Sequence, residues 1–364
     1  MNRIVLSLLG AVALLAGCSR SGVSPRSTLP MVLSIAADTT GESRLAATAG
    51  KRGPDGSIAI IGEPSEALAL VRSFLSADRR DNVDGRARRD SLPDFAGETF
   101  DVILDDLNAP YSHFVTSGEA PLENLDSLRE AAVQNALFAW DSTCVSAAKQ
   151  RAKILIYTSS LQAEYGLFDV DTLQQLTGGE SLLICPAEVL LQKAYAAGHR
   201  NMAVWTSAPV RASGAWQAVF GRMGFADASL EVITPESALD SRTSLRNLLR
   251  QYRATGKSLD ALVLDCYGGD VEQLHSELRF IGLATTEEDT ALSAMLAEDF
   301  ALLEPVSAVV EACYQLLRER RLFTHRISHP AARYYQSVES GTGLPALIEV
   351  APSYVQHHYV PHYY

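Results

Sequence analysis

The chain is short of basic charge, of cysteine and of long apolar runs. Its 31 Lys and Arg face 43 Asp and Glu over 364 residues, a net charge of −12. Nucleic acids and anionic bilayers are held by basic patches, so neither is expected on the body of the protein. The local basic runs are interleaved with Asp. Neither a G-x-G-x-x-G turn nor a Walker loop occurs, which leaves a nucleotide site without support and no cofactor expected. The 5 cysteines contain no C-x-x-C pair, so a metal site or a redox motif has no framework. Past the first residues, no stretch is apolar for long enough to span a bilayer.

What is present begins at the N-terminus. Arg3 supplies a positive start, and Ile4 to Leu15 is apolar but too short to cross a membrane. The run ends Leu15-Ala16-Gly17-Cys18, small residues abutting a cysteine, and this resembles the bacterial lipoprotein signal. The resemblance implies removal of residues 1–17 and a lipid on Cys18, including palmitate, that tethers the protein to the cell envelope. Ser19 follows, with no Asp there to suggest retention in the inner membrane, so the outer membrane is the expected address. Residues 18–56 are rich in Ser, Gly, Thr, Ala and Pro and read as a tether, with an apolar patch at Met31 to Ala36 able to dock on the body. Cys144, Cys185, Cys266 and Cys313 remain, three of them in apolar segments, and buried thiols are expected rather than disulfides.

From Ser57 the pattern alternates short apolar runs with amphipathic segments. Runs at Ile58 to Ile61, Phe100 to Leu104, Ile154 to Tyr157, Leu182 to Cys185, Met202 to Trp205, Leu230 to Ile233, Ala261 to Leu264 and Ala301 to Leu303 read as strands. Helices are expected between them, among them Ser65 to Leu75, Ser127 to Trp140, Asp169 to Leu176 and one opened by Pro186. Such alternation predicts an α/β fold of βαβ units with mostly parallel sheets. The last forty or so residues differ, being rich in tyrosine. His357, His358 and His362 there have no Cys or carboxylate beside them, which makes them surface residues rather than metal ligands.

The stretch LVLDCYGGD, Leu262 to Asp270, is the one most suggestive of chemistry. A buried parallel strand that ends at glycine delivers a side chain, here Cys266, to the carboxyl edge where open α/β sheets bind ligands. Several segments then line up, in order, with the aspartate/glutamate racemase family. IAIIGEPSEALALVR (Ile58 to Arg72) is similar to that family's opening strand, and FDVILDDLNAPYS (Phe100 to Ser112) resembles its Asp-x-x-Asn-x-Pro-Tyr-Gly stretch. KILIYTSS (Lys153 to Ser160) falls where the family carries its first cysteine, and Ile184 to Phe220 looks like its passage from a proline-led helix to Ser-Gly-x-Tyr. LVLDCYGG is similar to its second-cysteine motif, and Glu304-Pro305 to the Asp-Pro before its last helix. The resemblance runs from about residue 57 to 320. It implies two similar lobes, residues 57–183 with 291–330 and residues 184–290, a C-terminal extension over 331–364, and a cleft for a small carboxylate or amino acid between the lobes.

The family chemistry that the resemblance implies uses two thiols on opposite faces of a carbon, and this sequence departs from it. Ser159 stands at the first cysteine position, and a hydroxyl is a far poorer base than a thiolate. Ser160-Leu161 replaces Asn-Thr, Gly62-Glu63 replaces Asp-Ser, Thr206-Ser207 replaces Gly-Thr, and Tyr267-Gly268 replaces Thr-His. Cys266 and Ser159 are thus the candidate catalytic pair, and Glu63, Pro110, Tyr111, Ser160 and Ser207 the candidate substrate-binding residues. Asp265 beside Cys266 works against thiolate formation. A catalytically degenerate or altered, lipid-anchored member of the racemase fold is the expectation. One enzymatic alternative is proton transfer by a single cysteine, as in arylmalonate decarboxylases. Two non-enzymatic alternatives are a type I periplasmic-like solute-binding lipoprotein, whose lobes are joined by three crossings, and a structural component of an envelope complex with protein partners.

Overall fold

The protein's structure, a computed structural model, describes residues 27–38, 53–82, 84–115, 125–140, 149–235, 240–267, 271–341, 343 and 345–359. Cys18, Cys144, His362 and the glycines at 268 and 269 lie outside them.

Among the described residues the chain builds two sheets. The first contains β1 (Ser57–Gly62), β2 (Thr99–Leu104), β3 (Ala152–Tyr157), β4 (Leu182–Ile184), β9 (Ala331–Glu339) and β10 (Pro345–Val350), in the order β10-β9-β2-β1-β3-β4. The second contains β5 (Asn201–Trp205), β6 (Ser229–Ile233), β7 (Leu259–Leu264) and β8 (Leu296–Leu303), in the order β6-β5-β7-β8. Every pairing is parallel except that of β10 with β9. The expected α/β class with mostly parallel, helix-flanked sheets is therefore what the chain forms.

Strand alternation explains how both faces are filled. Ile58 and Ile60 of β1 point into one apolar cluster, while Ala59 and Ile61 point into another. Ile154 and Ile156 of β3 divide from Leu155 and Tyr157 in the same way. All six residues of β1 and of β3 are buried, which is why these strands read as unbroken apolar runs. The cluster beneath Ala59 and Ile61 continues without a break to Met202, Val204, Ala261 and Val263 of the second sheet. This cluster thus spans both sheets, through α4 (Ser160–Thr177), α5 (Pro186–Ala196) and α7 (Ala215–Met223).

Among the described residues the chain passes between the sheets twice, through α5 after β4 and through α11 (Pro305–Arg320) after β8. A hinged solute-binding protein of the periplasmic type has three such crossings, and this topology differs from it. Three further expectations change. β8 begins at Leu296 and pairs with β7, so residues 296–303 lie in the second sheet and the return to the first comes after 303 rather than at 291. The segment 331–350 is not an appendage, because β9 pairs with β2 and extends the first sheet. Helix α4 starts at Ser160 rather than Asp169, since its first eight residues are buried on all sides and carry no amphipathic period.

Within the expected tether, α1 (Pro30–Ala37) lies against α4. Val32 and Leu29 are buried, worth about 1.5–3 kcal/mol each. The Arg129 guanidinium holds Asp169 through Nε at 2.7 Å and Nη2 at 2.9 Å, and donates to the Ser27 carbonyl at 2.6 Å. Asp169 in turn accepts from the Leu29 amide at 3.2 Å. A buried ion pair on α3 (Leu125–Trp140) and α4 therefore clamps residues 27–29 onto the body.

Candidate functional site

The carboxyl edges of β1, β3, β5 and β7 come together around a cavity of about 570 Å³, a size typical of small-molecule sites. Its wall includes Glu63, Ser65 and Glu66 after β1, Ser159 to Leu161 after β3, Ser207 after β5, and Asp265 to Tyr267 after β7. Each group owes its place to a strand end, where the chain leaves the sheet. Thr158 N bonds to the Ile61 carbonyl at 2.9 Å, Asp105 N to Gly62 at 3.0 Å, and Asp265 N to Trp205 at 2.9 Å, so the ladders run to the rim. Gly62 is required at the end of β1, because a Cβ there would overlap the Thr158 hydroxyl.

Helix α2 (Pro64–Ser76) opens at the rim, with Glu63 as its N-cap and Glu66 in its first turn. Carboxylates in this position are favoured by the helix dipole. Glu63 Oε1 accepts from the Tyr111 amide at 2.9 Å, and Glu66 Oε2 accepts from Thr158 Oγ1 at 2.8 Å. Burial pushes the Glu66 carboxyl up to about 8; the Thr158 bond opposes the shift, and the Glu63 and Asp265 charges add to it. Glu66 is therefore largely protonated at neutral pH.

Across the cavity, Asp265 Oδ2 accepts from Thr206 Oγ1 at 2.6 Å, Trp216 Nε1 at 2.8 Å and Ser160 Oγ at 3.0 Å. The last bond ties the first turn of α4 to the end of β7, joining the two sheets. Burial raises the Asp265 carboxyl above its usual range, and these three donors pull the other way. Tyr267 is buried, its phenol pushed far up by burial first and by the Glu66 and Asp265 charges next. Its hydroxyl makes no hydrogen bond.

The expected site residues divide. Ser159, Cys266, Glu63, Ser160 and Ser207 all contribute to the wall of this one cavity. Cys266 is exposed, whereas Cys185 and Cys313 are buried, and none of these three forms a disulfide. Ser159 is the N-cap of α4 and makes no side-chain cap bond there. Pro110 and Tyr111, expected to bind substrate, do not line the cavity among the described residues. The reason is local: Tyr111 turns inward and donates to Asp105 Oδ2 at 2.8 Å. Asp105 is a buried hub that also accepts from Asn108, Asn135 and Ser337, which leaves it committed to holding the loop after β2.

The sequence reading missed Glu66, Tyr267 and the hub role of Asp265. Glu66 could have been found from its spacing: three residues after Glu63 at a helix start places both on one face. The other two carry no local signal. No group of three or more His, Cys, Asp and Glu able to hold a metal occurs among the described residues.

Fold and site together define a two-sheet α/β protein with an acidic, hydroxyl-lined cavity where the sheets meet. No protein-family model matches the sequence, and no curated protein does. Among solved structures, the chain is similar to glutamate racemase isoform RacE1 from Bacillus anthracis, at 11% identity and a TM-score of 0.49 over 80% of this chain and 91% of that one. It is similar to glutamate racemase from Francisella tularensis subsp. tularensis SCHU S4, in complex with D-glutamate, at 13% identity and a TM-score of 0.49 over 80% and 91%. A glutamate racemase from Aquifex pyrophilus follows at 14% identity and a TM-score of 0.46 over 79% and 91%. At such values the likeness is one of chain path.

Proposed function

We propose that the protein is a lipid-anchored cell-envelope protein with a racemase-like fold, whose cavity binds a small amino acid or carboxylate without two-thiol racemisation. The observation that carries this is the placement of Ser159 and Cys266 in one cavity wall, with only one of the two a thiol. Abstraction and return of a proton on opposite faces of a carbon needs a base on each side. Ser159 caps α4 with no side-chain cap bond, and among the described residues no carboxylate or imidazole is bonded to its hydroxyl to act as its base. Binding needs none of this, and a cavity of about 570 Å³ walled by hydroxyls suits it.

A second reading, one-sided proton transfer by Cys266, is favoured by the exposure of that thiol to the cavity. Incubating the protein with L- and D-forms of amino acids in deuterated water separates the two. The binding reading expects a ligand-dependent rise in melting temperature and no exchange of the α-proton. Exchange that is abolished by Cys266→Ala would replace it with the enzymatic reading. No melting shift with any ligand would remove both. Envelope anchoring is supported by the Leu15-Ala16-Gly17-Cys18 sequence. It is tested by metabolic labelling with a fatty acid, which Cys18→Ser should abolish.

A further inference from the structure

We propose that the outer face of α1 rests on a lipid bilayer, so that the body is held against the membrane in one orientation by this helix. The inference rests on the lipid anchor read at Cys18 and goes beyond it, from attachment to a contact surface.

Helix α1 is apolar on both sides. Leu29 and Val32 are buried, and Met31 and Ile35 pack against the same cluster. The face turned away from the body consists of Pro30, Leu33, Ser34 and Ala37, all exposed, at the i, i+3, i+4, i+7 spacing of one helix face. Leu33 alone is 53% exposed. A helix on the surface of a soluble body turns charged and polar groups outward. The sequence of α1, PMVLSIAA, holds no charged residue.

The occupant of this face follows from where the helix stands in the chain. Cys18 and Ser27 are separated by about nine residues, which reach roughly 30 Å at full stretch. A folded body of this size is about 50 Å across. The side that carries α1 therefore faces the bilayer whenever Cys18 bears a lipid. Charge agrees. Between Cys18 and Asp38 the chain has Arg20 and Arg26 and no Asp or Glu, in a protein whose net charge is −12. Basic residues beside a lipid anchor are drawn to anionic headgroups.

The fold also fixes the helix instead of letting it trail. Arg129 and Asp169, with side-chain exposures of 8% and 0%, form the ion pair that holds the Ser27 carbonyl and the Leu29 amide. Burying such a pair carries a desolvation cost. A leash has no use for it, whereas a helix that must meet a membrane at a set angle does.

The test uses the full-length lipidated protein on vesicles of phosphatidylethanolamine and phosphatidylglycerol. A nitroxide label is placed at Leu33→Cys or, as control, at Leu283→Cys, which is 68% exposed after the last turn of the helix Val271–Gly282. Cys144→Ser and Cys266→Ser remove competing thiols. Oxygen, which concentrates in the bilayer, and a water-soluble nickel chelate serve as relaxing agents. Oxygen should relax the label at position 33 more than the chelate does, and at position 283 the order should reverse. Arg129→Ala should abolish the oxygen preference at position 33 while the protein stays on the vesicles; the label in the body with Arg129 intact decides the matter if that variant folds poorly. A preference retained in folded Arg129→Ala protein would overturn the fixed orientation. Chelate-dominated relaxation at both positions of vesicle-bound protein would overturn the docking and leave the anchor reading intact. A label at position 33 shielded from both agents would overturn the bilayer in favour of a protein partner. Protein that carries no lipid and stays in solution would overturn the anchor reading and the docking with it.

Discussion

Glu66→Gln should make the protein more stable at high pH and leave it unchanged at low pH. The Glu66 carboxyl is raised from 4.5 to about 8, because burial disfavours its charge and Glu63 and Asp265 sit beside it. The unfolded chain has no such surroundings. Between those two values the folded protein holds a proton that the unfolded chain has already released. Stability from this group is therefore fully present below about pH 4.5 and is lost as pH rises through about 8. At ~1.4 kcal/mol per pH unit the whole span comes to about 5 kcal/mol, an upper bound because water enters the cavity. Glutamine mimics the protonated acid at every pH and loses nothing. Urea unfolding of the two proteins should give equal free energies at about pH 4, below the unfolded value. At pH 9 the variant should lead by at least about 2 kcal/mol. Parallel pH profiles would show that Glu66 titrates as an ordinary exposed carboxylate, and the description of the cavity as a poorly solvated acidic site would fall with it.

Four further outcomes are expected. Arg129→Ala strips the partner from the buried Asp169 and should cost about 3–5 kcal/mol in urea unfolding, with faster proteolysis near residues 27–38. Iodoacetamide should alkylate Cys266 in the native protein well before Cys185 or Cys313, because burial holds both of those thiols up; peptide mapping by mass spectrometry reads the order. Gly166→Ala should destabilise by about 1–3 kcal/mol, since a Cβ on α4 would overlap the Ala132 side chain of α3. Gly221→Ala, which meets open space inside α7, should stabilise by about 0.5–1 kcal/mol in the same assay.

The sequence by itself determined the class of fold and the edge at which the site forms. Buried parallel strands read as short apolar runs, and β1, β3 and β7 were visible for that reason. The glycines that follow β7 marked where the chain leaves the sheet and singled out Cys266, whereas Ser159 and Ser207 were named by the resemblance to the racemase family; all three line the cavity. Periodicity failed where burial is not one-sided. The start of α4 is enclosed all round, and β9 carries two adjacent tyrosines among polar residues, which reads as an extension until β2 is found beside it.

Tertiary structure alone decided what the cavity is chemically. Glu66 and Asp265 lie 199 positions apart in the numbering, and no local pattern links a carboxyl on one helix to a carboxyl beyond a strand of the other sheet. Tyr111 looked like a ligand contact and is instead turned onto Asp105. Strand-end positions follow from chain-local periodicity, which a sequence displays. The protonation of a group and the pairing of a hydroxyl depend on which distant atoms exclude water from it, and only the packed chain settles that.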